Sequence, residues 1–391
     1  MNIVIYKGQF QYDVVNYFVE ELGHELMKLG HNVHILNLLT MSSNRIEGIL
    51  ANNKIDLVLS FNGVNFTGKE IYEKLNIPLG IILVDHPFYH ISRIKTYKSN
   101  NTFICMFDEG SLECFEECIA DDISISWLAH GGTEMLSSEV VEKSTDVIMP
   151  GSLSDYNKLE RQLLDLDLDI LKRFACNLYE KGKYNYNIPL YNFFKEELRS
   201  AGIELKQIRE DEDFLNAFSY IYTLVDRTLR ARNRYRIIKV LIEEGIRVQH
   251  YGNLSNNELL KYKNFKTNGP IDYIALTKEI QRSKILLHDT PYFENGSHER
   301  VLTSMLNETL VLSNNNNYCN NLYKEGESII FYDMNNLDTL VEKTSFYLEH
   351  ENERKRVENK AYEITQQYNT WESRAHEILN IYNAFIGRNA Q

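Results

Sequence analysis

Ile3-Val4-Ile5-Tyr6 opens the chain, Val14, Val15, Phe18, Val19, Leu22, Leu26 and Leu29 follow near i, i+4, i+7 spacing, and Val33-His34-Ile35-Leu36 comes next. The first and last runs are too short for helices and nearly continuous in apolar residues, as strands buried on both faces are. The residues between them form a single apolar stripe when wound at 3.6 per turn. Strand, helix, strand in that order predicts a parallel pair joined by a crossover helix.

The pattern repeats outward from this unit. Further strand-like runs are Ile55–Leu59, Leu79–Val84, Phe103–Phe107 and Ile123–Leu128, with helical periodicity between most of them. It restarts after residue 145 with Val147-Ile148-Met149, then Pro150-Gly151-Ser152. A long helical stretch of about 155–243 follows, with a tyrosine-rich patch at Tyr184–Tyr191. More candidate strands lie at Arg247–Tyr251, Lys284–His288, Thr309–Ser313 and Ser328–Phe331. The expected fold is α/β: two Rossmann-like domains, 1–145 and 146–370, facing across a cleft, with a helical insertion in the second. A last helix, 371–391, is expected to cross back to the first domain. Asn314–Asn317 reads as a turn, and no short repeat occurs.

The 391 residues suit two domains of ordinary size. With 43% hydrophobic and 25% charged residues, the composition excludes a disordered, collagen-like or disulfide-scaffold protein. A net charge of −13 argues against a general nucleic-acid or anionic-membrane binder, so positive charge for an anionic substrate must be local. No signal peptide is expected at Met1–Lys7, and the longest apolar run, Ile77–Val84, is far short of a membrane span. Five cysteines without paired spacing read as reduced thiols in a cytoplasm. Cys114 and Cys118 are four apart on one helix, with no nearby partners to complete a metal site.

Ligands of open α/β sheets bind beyond the carboxyl ends of the strands. The first half places Lys7-Gly8, Asn62-Gly63, Asp85-His86-Pro87, Asp108-Glu109-Gly110 and His130-Gly131-Gly132 there. The second half places Gly151-Ser152, Tyr251-Gly252-Asn253 and His288-Asp289-Thr290. Glycine permits close backbone approach, and the acids and histidines carry chemistry.

The segment Gly296-Ser297-His298-Glu299-Arg300-Val301-Leu302, continuing to Met305 and Leu306, predicts a helix capped by Ser297 with one apolar face. Arg300 in its first turn is unfavourable against the helix dipole unless an anion binds there. A diphosphate is the obvious anion. The plainer alternative is an ion pair with Glu294 or Asp289.

Several segments together resemble a known family. Ser283–His288, Gly296–Arg300 and Leu310–Ser313 resemble the CgeB-like (spore-maturation type) glycosyltransferases of the GT-B fold. Asp146–Ser152, Arg236–Leu241 with Val248–Gly252, Leu83–Pro87 and Thr370–Ala375 follow in the family's order. The resemblance implies transfer of a sugar from a nucleotide-diphosphate sugar, UDP-linked by preference, to a protein, glycan or small molecule, without an essential metal or other cofactor. One departure is clear. Many retaining enzymes of this fold carry two glutamates eight positions apart, where this chain has Asn295 and Thr303.

The leaving diphosphate gains charge and needs cations or fixed N–H donors. Donor-side candidates are Arg300, Gly151, Ser152, Tyr251, Gly252, Asn253, Lys284, His288, Gly296, Ser297, His298 and Glu299. Arg227, Arg230, Arg232, Arg234 and Arg236 are read mainly as a solvated helix, because alternating positions cannot share one face. Asp85 and His86 are the candidate bases, Asp85 on the expectation that burial raises its pKa. Lys7, Gly8, His130 and Gly131 complete the acceptor side. Asp165-Leu166-Asp167-Leu168-Asp169 contains D-x-D spacing but is not expected at a sheet tip, so no metal site is assigned. Rival functions are a sugar-nucleotide epimerase of the same architecture and a non-catalytic nucleotide-sugar-binding subunit.

Overall fold

The computed structural model describes residues 1–135, 141–289 and 293–389. They fall into two compact units, Met1–Gly131 with Ile208–Asn216 and Asn369–Gln391, and Gly132–Gln207 with Ala217–Tyr368. Each is built on a six-stranded sheet in which every pairing is parallel.

The first unit contains β1 (Asn2–Lys7), β2 (Asn32–Asn37), β3 (Leu57–Phe61), β4 (Leu79–Leu83), β5 (Thr102–Met106) and β6 (Ser124–Trp127). Helices α1 (Val14–Lys28), α2 (Ser43–Asn52), α3 (Glu70–Leu75), α4 (Ile91–Tyr97) and α5 (Gly110–Cys118) connect them. Every residue of β3, β4 and β5 is buried, as their unbroken apolar runs require of strands covered on both faces. The strand order is β2-β1-β3-β4-β5-β6. The chain leaves β1 to one side for β2 and returns on the other side for β3. Their carboxyl ends therefore flank a topological switch point, where such sheets open a crevice.

The second unit contains β7 (Thr145–Pro150), β8 (Val248–Tyr251), β9 (Phe265–Thr267), β10 (Ser283–His288), β11 (Leu310–Asn314) and β12 (Ile330–Tyr332). Its order, β12-β11-β10-β7-β8-β9, puts the switch point between β7 and β10. Between β7 and β8 come α6 (Tyr156–Leu164), α7 (Asp169–Gly182), α8 (Leu190–Ser200), α9 (Leu205–Glu210) and α10 (Glu212–Glu243), the expected helical insertion. Residues 208–216 of it belong to the first unit. Then follow α11 (Tyr273–Gln281), α12 (Glu299–Leu306), α13 (Asn317–Leu322), α14 (Asp338–Glu349) and α15 (Glu351–Tyr368). The core of this unit gathers Val147, Met149, Ile237, Leu241, Ile285, Leu287, Leu310 and Leu312. The final helix, α16 (Trp371–Asn389), belongs to the first unit, where Phe385 packs against Phe103 with ring centroids 5.2 Å apart.

Two local expectations change. β9 was not anticipated, because Phe265-Lys266-Thr267 offers one buried residue and no pattern. The cap of α12 is His298 rather than Ser297: His298 holds extended backbone (φ −79°, ψ 144°) and Glu299 begins the helix. Ser297 is buried one residue earlier. The predicted apolar face is as expected, with Val301, Leu302, Met305 and Leu306 all buried.

Candidate functional site

At the switch point of the second unit, β7 ends in Pro150 and the chain turns at Gly151 with φ +124°, a conformation that favours glycine. Gly252, at the end of the neighbouring β8, has φ +149°, and a Cβ there would lie 2.4 Å from the Gly151 carbonyl oxygen. Two glycines thus let two strand ends press together. His250 locks the turn: its Nε2 donates to Gly151 O (2.6 Å), and its Nδ1 accepts from Thr267 Oγ1 (2.9 Å). A carbonyl can only accept, so the imidazole is the neutral Nε2–H form. Burial, the larger influence, pushes its pKa down to about 4.

Arg300, in the first turn of α12, reaches back and donates through Nη1 to Pro150 O (2.6 Å). Its Nη2 donates to His298 Nε2 (3.0 Å), while His298 Nδ1 faces the Glu299 carboxylate. Arg234, from α10, donates through Nη1 to Ser152 O (3.1 Å) and through Nε to Asp289 Oδ1 (2.8 Å). An atom in the Cβ position of Gly151 would stand 2.8 Å from Arg300 Nη1 and 3.2 Å from Arg234 Nη1. Two guanidiniums therefore converge on one glycine turn. Burial lowers the pKa of Arg300, the nearby Arg234 charge adds to the lowering, and Glu299 opposes it.

His288, at the end of β10, is buried beside this pair, and its pKa lies well below the ordinary value through burial and then the Arg300 charge. Among the described residues both its ring nitrogens, Arg300 Nε and Asp289 Oδ2 lack hydrogen-bond partners. Buried polar atoms are nearly always paired, so this concentration makes the turn the candidate place for a polar ligand. Asp289 pairs with Arg234 rather than Arg300, which leaves Arg300 with Glu299 at 3.9 Å as its ion-pair partner.

Other donor-side candidates divide. Tyr251 ends β8, and its hydroxyl donates to Glu279 Oε2 (2.9 Å). Exposed Asn253 accepts from Leu153 N through its carbonyl (2.8 Å), so its loop runs beside Gly151-Ser152. The carbonyl of buried Gly296 accepts from Asn316 Nδ2 (2.8 Å). Thr290 lies outside the described residues. Lys284 must be corrected. It sits at the amino end of β10, roughly 13 Å from the His288 end at ~3.3 Å per residue. Its Nζ pairs with Asp146 (2.9 Å), which Arg247 also holds. It belongs to the opposite edge of the sheet, away from the ligand end.

In the first unit the strand tips are largely engaged with their own surroundings. Gly8 N donates to Asn16 Oδ1 (3.0 Å), Asn16 Nδ2 donates back to Gly8 O (2.8 Å), and Lys7 pairs with Glu20. His130 is buried among Phe18, Phe107 and Trp371, with ring centroids 4.8, 4.2 and 5.6 Å away. Gly131 lies flat against Trp371, where a Cβ would come within 2.7 Å of the indole. His86 accepts from Phe88 N (3.3 Å) and caps a short turn. The burial expected to make Asp85 basic is absent: its side chain is 50% exposed, with Oδ2 3.5 Å from His90 Nε2. β4 ends at Leu83, so Asp85 stands beyond the buried strand.

Arg234 and His250 were not singled out as site residues. Nothing in an alternating arginine run says which member turns inward. Arg232 and Arg236 instead donate to Tyr186 Oη, and Arg230 pairs with Asp226 (2.6 Å). His250 carried a signal, a histidine at the end of a buried strand next to the Tyr251-Gly252 tip. The D-x-D aspartates Asp165, Asp167 and Asp169 are exposed around the connection between α6 and α7.

Residues 230–380 match the model of a family described as glycosyl transferase-like. No curated protein matches the chain in sequence. The fold is similar to that of several solved structures at low identity. HepE of Anabaena, solved in complex with UDP-glucose, has TM-score 0.55 and 10% identity, with 98% of this chain and 100% of that one covered. T4 phage BGT, solved with its UDP-glucose substrate, has TM-score 0.53 and 11% identity over 98% of both chains. Sucrose-phosphate synthase of Thermosynechococcus elongatus has TM-score 0.54 and 9% identity over 99% of both. These likenesses establish the fold: two parallel α/β units of the GT-B kind.

Proposed function

We propose that the chain is a glycosyltransferase that takes a nucleotide-diphosphate sugar, UDP-linked, at the switch point of its second unit, and that it is of the CgeB-like type. The observation that carries this is the convergence of Arg300 and Arg234 on the Gly151 turn. A diphosphate placed there meets two guanidiniums. The glycosyl transferase-like match over residues 230–380 supports the reaction class. HepE and BGT, each solved in complex with UDP-glucose, support the choice of donor.

In the proposed reaction, the bond from the anomeric carbon to the diphosphate oxygen breaks and its electron pair stays on that oxygen. Fixed cations at the growing charge lower the barrier, because they need no reorganisation. The two arginines supply the charge that a divalent ion would otherwise bring, so the reaction runs without an essential metal. The acceptor hydroxyl oxygen forms the new bond to the anomeric carbon and gives its proton to a base, for which Asp85, assisted by His90, and His86 are the candidates. Five cysteines that form no disulfide suit a reducing cytoplasm. No helix among the described residues is long and apolar enough to cross a membrane.

The test is nucleotide release. Purified protein is incubated with UDP-, GDP-, TDP- and CMP-sugars without acceptor, and free nucleotide and intact donor are quantified. Slow release from one UDP-sugar, lost in Arg300→Ala, is expected. Conversion of a donor to an isomer without release would show an epimerase instead. Failure of the wild type to bind any nucleotide in a direct titration would sink the donor site.

A further inference from the structure

Beside this site, at the carboxyl ends of β11 and β12, the second unit holds an open cavity of about 430 Å³. That is within the ~300–1,000 Å³ of ordinary ligand sites. Tyr332 forms part of its wall, and the Tyr332 hydroxyl donates to the carbonyl oxygen of His288 (2.8 Å), one step from the arginine pair.

The lining has a definite chemistry. Five asparagines contribute to it: Asn187, Asn314, Asn315, Asn320 and Asn335. Its lysine and glutamate are paired with each other, and its aspartate is held by amide hydrogen bonds. Lys343 Nζ pairs with Glu325 Oε1 (2.6 Å) and donates to Phe331 O (2.6 Å), while Glu325 Oε2 accepts from Phe331 N (2.7 Å). Asp333 Oδ1 accepts from Asn335 N (2.8 Å) and Nδ2 (3.2 Å). The cation of the lining itself, Lys343, is thus already paired and is not left for an anionic ligand. Amides donate and accept at once, which matches the dual character of a hydroxyl group. The cavity also carries an aromatic wall that is held in place. Tyr186 reaches it from the helical insertion, its hydroxyl accepting from Arg232 Nη1 (3.2 Å) and from Arg236.

We propose that this asparagine-lined cavity is a second carbohydrate site, which binds a neutral saccharide as the acceptor, next to the nucleotide-sugar site. Amides supply paired hydrogen bonds to ring hydroxyls, and Tyr186 adds aromatic surface to the wall for the apolar side of a sugar. The four-asparagine turn and the tyrosine patch of the sequence thus meet in one place. The acceptor role rests on the glycosyltransferase reading; the binding of a neutral sugar does not.

The experiment uses the full chain and two exposed positions, in the double variant Asn187→Ala/Asn315→Ala. Saturation-transfer difference NMR is recorded with glucose, galactose, N-acetylglucosamine, maltose, glucuronic acid and glucose 6-phosphate, and UDP binding is titrated separately. At least one neutral sugar is expected to bind the wild type, with the two anionic sugars no tighter than glucose. The double variant should lose that binding at least tenfold and keep its UDP affinity within twofold. Absence of saccharide binding by a wild type that binds UDP would overturn the proposal. So would equal binding by the double variant, or a clear preference for the anionic sugars. Saccharide binding without any UDP binding would keep the cavity and remove the donor reading.

Discussion

The two units share a topology and differ at the same place in it. Both sheets have a switch point, between β1 and β3 in one and between β7 and β10 in the other. In the first, most strand-end groups are engaged by local bonds: Gly8 with Asn16, Lys7 with Glu20, and Asn62, whose Oδ1 accepts from Val84 N (2.9 Å). Asn65 Nδ2 and His90 Nε2 are the buried atoms there without a hydrogen-bond partner among the described residues. In the second, two part-buried guanidiniums face a glycine turn, and four nearby polar atoms lack partners among the described residues. A sheet supplies a crevice wherever its strand order reverses. Which crevice becomes a site depends on whether its polar groups are spent on the fold or left for a ligand.

The comparison breaks first at its charges. Arg300→Ala should weaken UDP binding by about 100-fold or more, roughly 3 kcal/mol, as loss of a buried charged partner does. Arg234→Ala should cost less, because Asp289 already compensates it, and the double variant should depart from additivity, since both guanidiniums face Gly151. Calorimetric titration of the four proteins checks this; a Lys7→Ala variant with an equal loss would erase the distinction between the crevices.

Acid sharpens the contrast through His250. Its pKa falls from 6.5 in an unfolded chain to about 4 in the fold. The unfolded state therefore takes up the proton first. The fold keeps its full His250 contribution above pH 6.5 and loses it progressively as pH falls towards 4, by at most roughly 3 kcal/mol. Denaturant midpoints of wild type and His250→Gln, followed from pH 7 to 4.5, should converge as pH falls. Parallel curves would refute the assignment.

The glycines give a smaller, paired effect. Gly151→Ala puts a side chain into a positive-φ turn and against Arg300, so UDP affinity should fall about tenfold, with strain of about 1–3 kcal/mol. Gly131→Ala meets the Trp371 ring and should cost about 1–3 kcal/mol of stability as overpacking, with UDP affinity unchanged. Paired melting and titration data separate the two. Smallest of all, Lys284→Ala should leave UDP affinity unaltered and cost less than about 1 kcal/mol, because it removes only an ion pair at the far edge of the sheet.

The place of Arg300 in the first turn of a helix was legible in the sequence, and a cation there conflicts with the dipole and calls for an explanation. Asp85 was placed correctly beyond β4, but its exposure was not legible, since an apolar run shows that a strand is buried and not where burial stops. Lys284 misled for a similar reason. Its partner Asp146 is 138 positions away, and only the register Ser283↔Thr145 brings the two strand starts together.

The alternation of apolar runs with helical stripes determined the parallel sheets and the inserted helices, because burial on both faces writes its period directly into the chain. The choice of Arg234 from five alternating arginines, the clasp of His250 on Gly151 and the joining of the tyrosine patch to the asparagine turn were decided by packing. Residues far apart in the chain meet only when elements dock, and no local period records which side chains a docked surface will select.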